Sequence, residues 1–161
     1  MAELKTNPMR HLDKLGLPYE VIHYGEEPLS GLEVAQKMGE DPARAFKTLI
    51  CVGQPRNYYV FVVPVTGELD LKKAAACVGE KSVHMVKSAD LLSLTGYVHG
   101  GCSPLCIKRQ MKNITFDATA QDFERIYFSA GKVGYQLEVN VSDLPKMMDL
   151  QFADIRKPAQ G

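Results

Sequence analysis

The sequence predicts a mixed α/β fold of the α+β kind: a curved, partly barrel-like mixed β-sheet with helices packed on its outside. Three observations carry this expectation. Strand-like and helix-like segments alternate along the chain, but hairpin-like pairs interrupt them, so the pattern is not a run of uniform βαβ units. Two strand-like runs, 46–53 and 58–65, are apolar at nearly every position, which implies strands covered on both faces. The chain of 161 residues is 45% apolar and 24% charged, enough for a real core, and no repeat or linker-like stretch divides it. One domain over residues 1–161 is expected.

The elements follow in order. "TNPMRHLDKLG" (6–16) reads as a helix, with Asn7 as cap, Pro8 at the first helical position and Gly16 as stop. "YEVIHY" (19–24) is a short strand of β-branched and aromatic residues. "SGLEVAQKMG" (30–39) is a helix capped by Ser30 and ended by Gly39. "FKTLICVG" and "YYVFVVPV" flank the polar turn "PRN" and read as a hairpin. "LDLKKAAACVG" (69–79) is a helix between Asp70 and Gly79, "SVHMV" (82–86) a short strand, and "SADLLSLTG" (88–96) a helix capped by Ser88. Three strands follow, "NITFDA", "RIYFS" and "YQLEVNV". The last element, "SDLPKMMD" (142–149), is a helix that tolerates Pro145 in its first turn.

Composition excludes several classes. Lys and Arg total 19 and Asp and Glu total 19, for a net charge of +0. A duplex-DNA binder is usually basic overall, so no DNA partner is expected and any nucleic-acid contact must use a local patch. No apolar run approaches the roughly 20 residues of a membrane span, and the N-terminus lacks the apolar core of a signal peptide. No membrane partner and a cytoplasmic location are expected. The four cysteines are then expected to be reduced.

The stretch "GYVHGGCSPLCIKR" (96–109) concentrates chemistry-bearing residues and admits three readings. His99, Cys102 and Cys106 are spaced as a zinc site could use, but no fourth ligand is local and no Cys-x-x-Cys pair exists, so no metal is expected. Cys102 or Ser103 could act as a nucleophile, yet Ser103 lacks a Gly-x-Ser-x-Gly setting and Cys102 has only His99 as a nearby base. In the third reading the backbone is the functional part. A ligand can approach the N–H groups of Gly100 and Gly101 closely, and such pairs can hold a carbonyl oxygen as it gains charge. An ordinary glycine-rich turn is the alternative. Lys108, Arg109 and Lys112 add positive charge just downstream, which suits phosphate.

"AFKTLICV" is the second informative stretch. Strand alternation places Lys47 with Leu49 and Cys51, and Phe46 with Thr48 and Ile50. A lysine at the start of a buried strand is expensive unless its ammonium is paired or reaches water. It either snorkels at the strand end or aims a cation into a cleft.

Taken together, "FKTLI", "VVPVTGELDLKKAA" (62–75), "TGYVHGGCSP" (95–104), "FDATAQDFERIYFSAGKVG" (116–134) and "FADI" (152–155) resemble the YbaK/EbsC-type aminoacyl-tRNA deacylases, relatives of the editing insertion domain of bacterial prolyl-tRNA synthetase. The matches run nearly end to end and look most like the subgroup that clears cysteine from proline tRNA. The resemblance implies a freestanding editing enzyme with no cofactor. Its substrate is then cysteinyl-tRNA(Pro), with cysteinyl-tRNA(Cys) as a further candidate, and the synthetase is a candidate partner. Size discriminates cysteine from proline poorly, so a second site must remove the error. The resemblance makes Lys47 the residue most needed for activity and gives the aminoacyl end to the loop of Gly100, Gly101, Ser103 and Pro104. It places Tyr24, Thr48 and Ser129 in the pocket. Gln136 stands where many relatives carry an acid, keeping a hydrogen-bonding carbonyl without the charge.

The implied chemistry is attack by the substrate's own thiol on its ester carbonyl, with the protein supplying position and electrostatics. Lys108, Arg109, Lys112 and Lys132, with Lys72 and Lys73, are candidates to track the acceptor stem. Two alternatives stay open: a deacylase for another small amino acid such as alanine, using activated water, and a non-catalytic module that holds an aminoacyl end or a nucleotide.

Overall fold

The computed structural model describes residues 4–25, 27 and 29–158. Its helices are α1 (Asn7–Leu15), α2 (Gly31–Met38), α3 (Leu71–Val78), α4 (Ser88–Thr95) and α5 (Leu144–Met147). Its strands are β1 (Glu20–His23), β2 (Phe46–Val52), β3 (Tyr58–Pro64), β4 (His84–Met85), β5 (Asn113–Asp117), β6 (Arg125–Ser129), β7 (Tyr135–Asn140) and β8 (Gln151–Ala153).

Local chemistry sets the boundaries. Ser30 and Glu33 form a reciprocal capping box that opens α2, and Asp70 accepts from the N–H groups of Lys72 and Lys73 to open α3. The stops expected at Gly16, Gly39 and Gly79 are left-handed caps. Two caps differ from expectation. Thr6, not Asn7, accepts from Met9 N and caps α1, because Asn7 is already helical. Ser88 is likewise the first residue of α4 rather than its cap; Lys87 holds the cap position without a side-chain bond. The last helix is shorter than expected: Val141–Asp143 is a 3-10 turn that hands over to α5 at Leu144.

The strands form two sheets rather than one closed barrel. One has the order β1-β7-β6 and is antiparallel; the other has the order β4-β2-β3-β5-β8 and is mixed. The expected hairpin is β2–β3, registered from Phe46 opposite Pro64 to Val52 opposite Tyr58. The strand β8, which the sequence pattern did not announce, adds to the edge parallel to β5.

Alternation along β2 and β3 divides the interior. Phe46, Ile50, Val60 and Val62 face one core, which they share with Ile126, Phe128, Leu137 and Val139 of the three-stranded sheet and with Met9 and Leu12 of α1. Cys51, Tyr59, Phe61 and Val63 face a second core under α3. Both faces of β3 are therefore covered, as its apolar run requires. The helix α2 packs Ala35 against Ala45 and Tyr127 on the far side of the three-stranded sheet. There an isolated parallel bridge, Ala45 to Tyr127, ties the start of β2 to β6 and joins the two sheets.

Candidate functional site

A cavity of about 160 Å³ lies at that junction. Tyr24, Ser129 and Gln136 line it from the three-stranded sheet, Lys47 and Thr48 from β2, and Gly100 from the 96–105 loop. Val34 of α2, Val65, Phe46 and Leu91 supply apolar wall. The cavity is well below the roughly 300 Å³ at which drug-sized pockets begin, so it suits one small side chain.

Its polar groups are placed by the sheet. Gln136 sits opposite Ile22 of β1 and Ser129 of β6, so alternation turns it away from the core that holds Leu137. It is 8% exposed, and its amide has no hydrogen-bond partner among the described residues. Tyr24 Oη accepts from Gly134 N at 3.0 Å, and Ser129 Oγ accepts from Gly131 N at 3.1 Å, so each hydroxyl keeps a proton to donate. Thr48 Oγ1 is buried without a partner among the described residues. A buried hydroxyl without a partner costs about 1–3 kcal/mol, which a bound acceptor or donor would recover. Lys47 is half-buried, with no ion pair or hydrogen bond among the described residues. No described lining residue is Asp or Glu, so the site offers cations and neutral donors.

The glycine loop divides its labour. Gly100 lines the cavity at φ +86°, a left-handed conformation that strains any residue with a Cβ. The Gly101 N–H does not face a ligand: it donates to Val98 O at 2.9 Å and closes a turn. Gly101 has a packing role instead, since a Cβ there would stand 3.0 Å from Val133 N. Ser103 is fully buried and lies outside the cavity, its Oγ accepting from Leu105 N at 3.1 Å. Pro104 borders a different concavity, with Arg109 and Lys112. The N–H groups of Gly100 and Cys102, two cavity-lining residues, have no partner among the described residues.

The cysteines are not arranged for nucleophilic or metal chemistry. Burial pushes the Cys102 thiol up to about 12, so it stays protonated near neutral pH. Cys106 is exposed, and no described group of three His, Cys, Asp or Glu residues could hold a metal. Of the basic candidates, Lys108, Arg109, Lys112 and Lys132 are exposed, with Arg109 4.7 Å from the Tyr58 ring centre and Lys132 5.8 Å from that of Tyr135. Lys73 is held by Asp154 at 3.0 Å and by Arg156 O at 2.9 Å. The apolar walls at Val34, Val65 and Leu91 were not singled out from sequence; their helical and strand periodicity reads the same for any core position.

Comparisons with known proteins bear on this geometry. A family model described as an aminoacyl-tRNA editing domain matches residues 29–147. A protein of Enterococcus faecalis named "Putative Cys-tRNA(Pro)/Cys-tRNA(Cys) deacylase EbsC" is 39% identical over 156 residues, covering 96% of this chain and 94% of its own. Among solved structures, a "putative trans-editing enzyme for prolyl tRNA synthetase" superposes with a TM-score of 0.83 at 21% identity, over 96% of this chain and 100% of that one. A second, "hypothetical protein APE2540", also gives a TM-score of 0.83 at 21% identity, over 92% and 97%. At that identity the structures establish a shared fold.

Proposed function

We propose a function from one premise: the chain belongs to the aminoacyl-tRNA editing domain family. It is an aminoacyl-tRNA deacylase that clears cysteine from cysteinyl-tRNA(Pro) in trans, with cysteinyl-tRNA(Cys) as a second substrate. The observation that carries this reading is the small cavity itself. It admits one small side chain and presents Lys47, an unpartnered Thr48 hydroxyl and free loop N–H groups around it. The family match covers 29–147, while α1 and β8 outside it complete the same core through Met9, Leu12 and Phe152. That continuity supports reading 1–161 as one editing domain.

An aminoacyl-tRNA is an activated ester, so position and charge stabilisation suffice. The substrate thiol gives up its proton, and its sulfur bonds to the carbonyl carbon. The bond to the ribose oxygen breaks, and that oxygen takes a proton as the tRNA leaves. The amino acid departs as a thiolactone. The donors left for the carbonyl oxygen are the N–H groups of Gly100 and Cys102, since that of Gly101 is committed to its turn. Lys47 holds the terminal phosphate or ribose. Thr48, Tyr24 and Ser129 donate to substrate oxygens, and the Gln136 carbonyl accepts from the substrate amine. Prolyl-tRNA synthetase is the partner that hands over the mischarged proline tRNA, and the reaction belongs to the cytoplasm.

The test is deacylation of proline tRNA charged with cysteine, beside the same tRNA charged with alanine. Cysteine is expected to be lost and alanine spared. Lys47→Ala is expected to slow the reaction by about 10²-fold or more, the usual cost of removing one preorganised electrostatic group. Equal loss of alanine would replace thiol assistance with activated water. No cleavage beyond buffer would leave a binding module.

A further inference from the structure

The reactive cavity has a neighbour. A second concavity, of about 470 Å³, lies beside the 96–100 loop, walled by Tyr97, Val98, Gly131, Lys132, Val133 and Tyr135. Two segments each give consecutive residues to the two compartments. Val98 lines the groove and His99 the cavity; Tyr135 lines the groove and Gln136 the cavity. His23 stacks on Tyr135, while Tyr24 lines the cavity. The compartments therefore share a wall one backbone thick.

The groove carries its own chemistry. The His23 and Tyr135 rings lie 4.3 Å apart, 6° from parallel, and Lys132 Nζ stands 5.8 Å from the Tyr135 ring centre. His23 is exposed and Val98 is 49% exposed. No described residue lining the groove is acidic. His23 and Tyr135 are cross-strand partners in register, which accounts for the stack. It does not account for a cation over the same ring, an exposed valine and a hollow without acid. Gly131 lets the backbone pack closely under the groove, since a Cβ there would stand 2.9 Å from the Tyr97 ring and 3.2 Å from Pro8.

We propose that this groove is a nucleotide subsite for the residue immediately 5′ of the esterified terminal nucleotide of the tRNA. Its base lies on the His23–Tyr135–Val98 surface and its phosphate meets Lys132. The proposal rests on the editing function above, which puts the terminal ribose at the cavity. The preceding nucleotide must leave the cavity, and the groove is its neighbour through the Val98–His99 and Tyr135–Gln136 segments. Aromatic faces with a cation beside them are what single-stranded RNA stacks on, because every base has a π-face and every link a charge.

The test compares two probes on the intact protein: the dinucleotide CpA and adenosine. Ring-proton NMR signals of His23 and Tyr135 are expected to shift with CpA and not with adenosine. Cysteine esterified to CpA is expected to show a kcat/KM about tenfold above cysteine esterified to adenosine, the size of one base stack. Tyr135→Leu should bring that ratio close to one, and Tyr135→Phe should keep it. His23→Ala, at an exposed edge, gives the same comparison where Tyr135→Leu fails to fold. Ring signals indifferent to CpA, or both esters slowed in equal proportion by Tyr135→Leu, would overturn the subsite. The NMR arm needs no turnover. CpA shifts without ester cleavage would retain the groove and remove the editing function; cleavage without shifts or preference would do the reverse.

Discussion

Thr48 carries a buried hydroxyl with no partner among the described residues, and that is where the site is most exposed to test. In the free protein the orphan oxygen is a cost, and replacing it by an apolar group of the same shape is neutral or stabilising. Thr48→Val is therefore expected to leave the melting temperature unchanged or higher. The same change removes a donor to the substrate, and turnover is expected to fall about tenfold, the value of one good hydrogen bond in a dry site. Thermal unfolding and deacylation measured on one preparation check both halves. A loss of stability alongside activity would make Thr48 a structural residue. The sequence already marked Lys47, because a lysine at the start of a buried strand needs a reason, and the family resemblance marked Thr48. Ser103 was not legible in the same way. A serine before proline in a glycine-rich loop looks alike whether its hydroxyl meets a ligand or, as here, Leu105 N.

At the scale of elements, the β2–β3 hairpin shows how a turn is held from outside. Glu80, just past α3, accepts from Tyr59 Oη at 2.6 Å, Asn57 Nδ2 at 3.2 Å and Gln54 N at 3.2 Å. Those bonds, Tyr59 first and Asn57 next, hold its carboxyl below the ordinary 4.5. A depressed folded value means the unfolded chain binds more protons over that window. The stabilisation is then complete above about pH 5 and is lost as pH falls through the folded value. Glu80→Gln is expected to flatten the decline of stability below about pH 5, read from denaturant melts at several pH values. An unchanged acid slope would show that Glu80 titrates alike folded and unfolded. Elements of this kind divide by how local their signals are. The hairpin, α2 and α3 were legible from caps and apolar runs that sit within them. The strand β8 was not: three half-buried residues pair with β5 far back in the chain, and no local pattern records that partner. The Thr6 and Ser88 discrepancies are one-residue shifts: Thr6 and Asn7 can both cap, whereas at α4 the cap position falls on Lys87, which has no acceptor to offer.

Over the whole molecule, the site exists because two sheets meet. Arg44 is part of that seam: it pairs with Glu40 at 2.6 Å and Glu138 at 3.4 Å and stands 4.9 Å from the Tyr127 ring centre, beside the Ala45–Tyr127 bridge. Pattern reading gave the strands but not their division into two sheets, since a curved single sheet has the same alternation. The charge balance is also a whole-molecule property. With a net charge of +0, long-range attraction for RNA is weak, and affinity must come from the cations placed along the 96–112 loop and the 130–134 turn. Those cations flank two concavities, Arg109 and Lys112 on one and Lys132 on the other, with Lys108 in the loop between Gly96 and Arg109. If all four meet phosphates, log(kcat/KM) under subsaturating tRNA falls against log[salt] with a slope of roughly −3 to −4. Replacing Arg109 or Lys112 by alanine should reduce that slope by about one and weaken the reaction alike for every tRNA sequence. The small adenosine ester reaches the cavity without touching the loop cations, so its cleavage should be nearly independent of salt. A flat profile for full-length tRNA would move the RNA path off these residues and onto the synthetase, leaving the cavity chemistry as proposed.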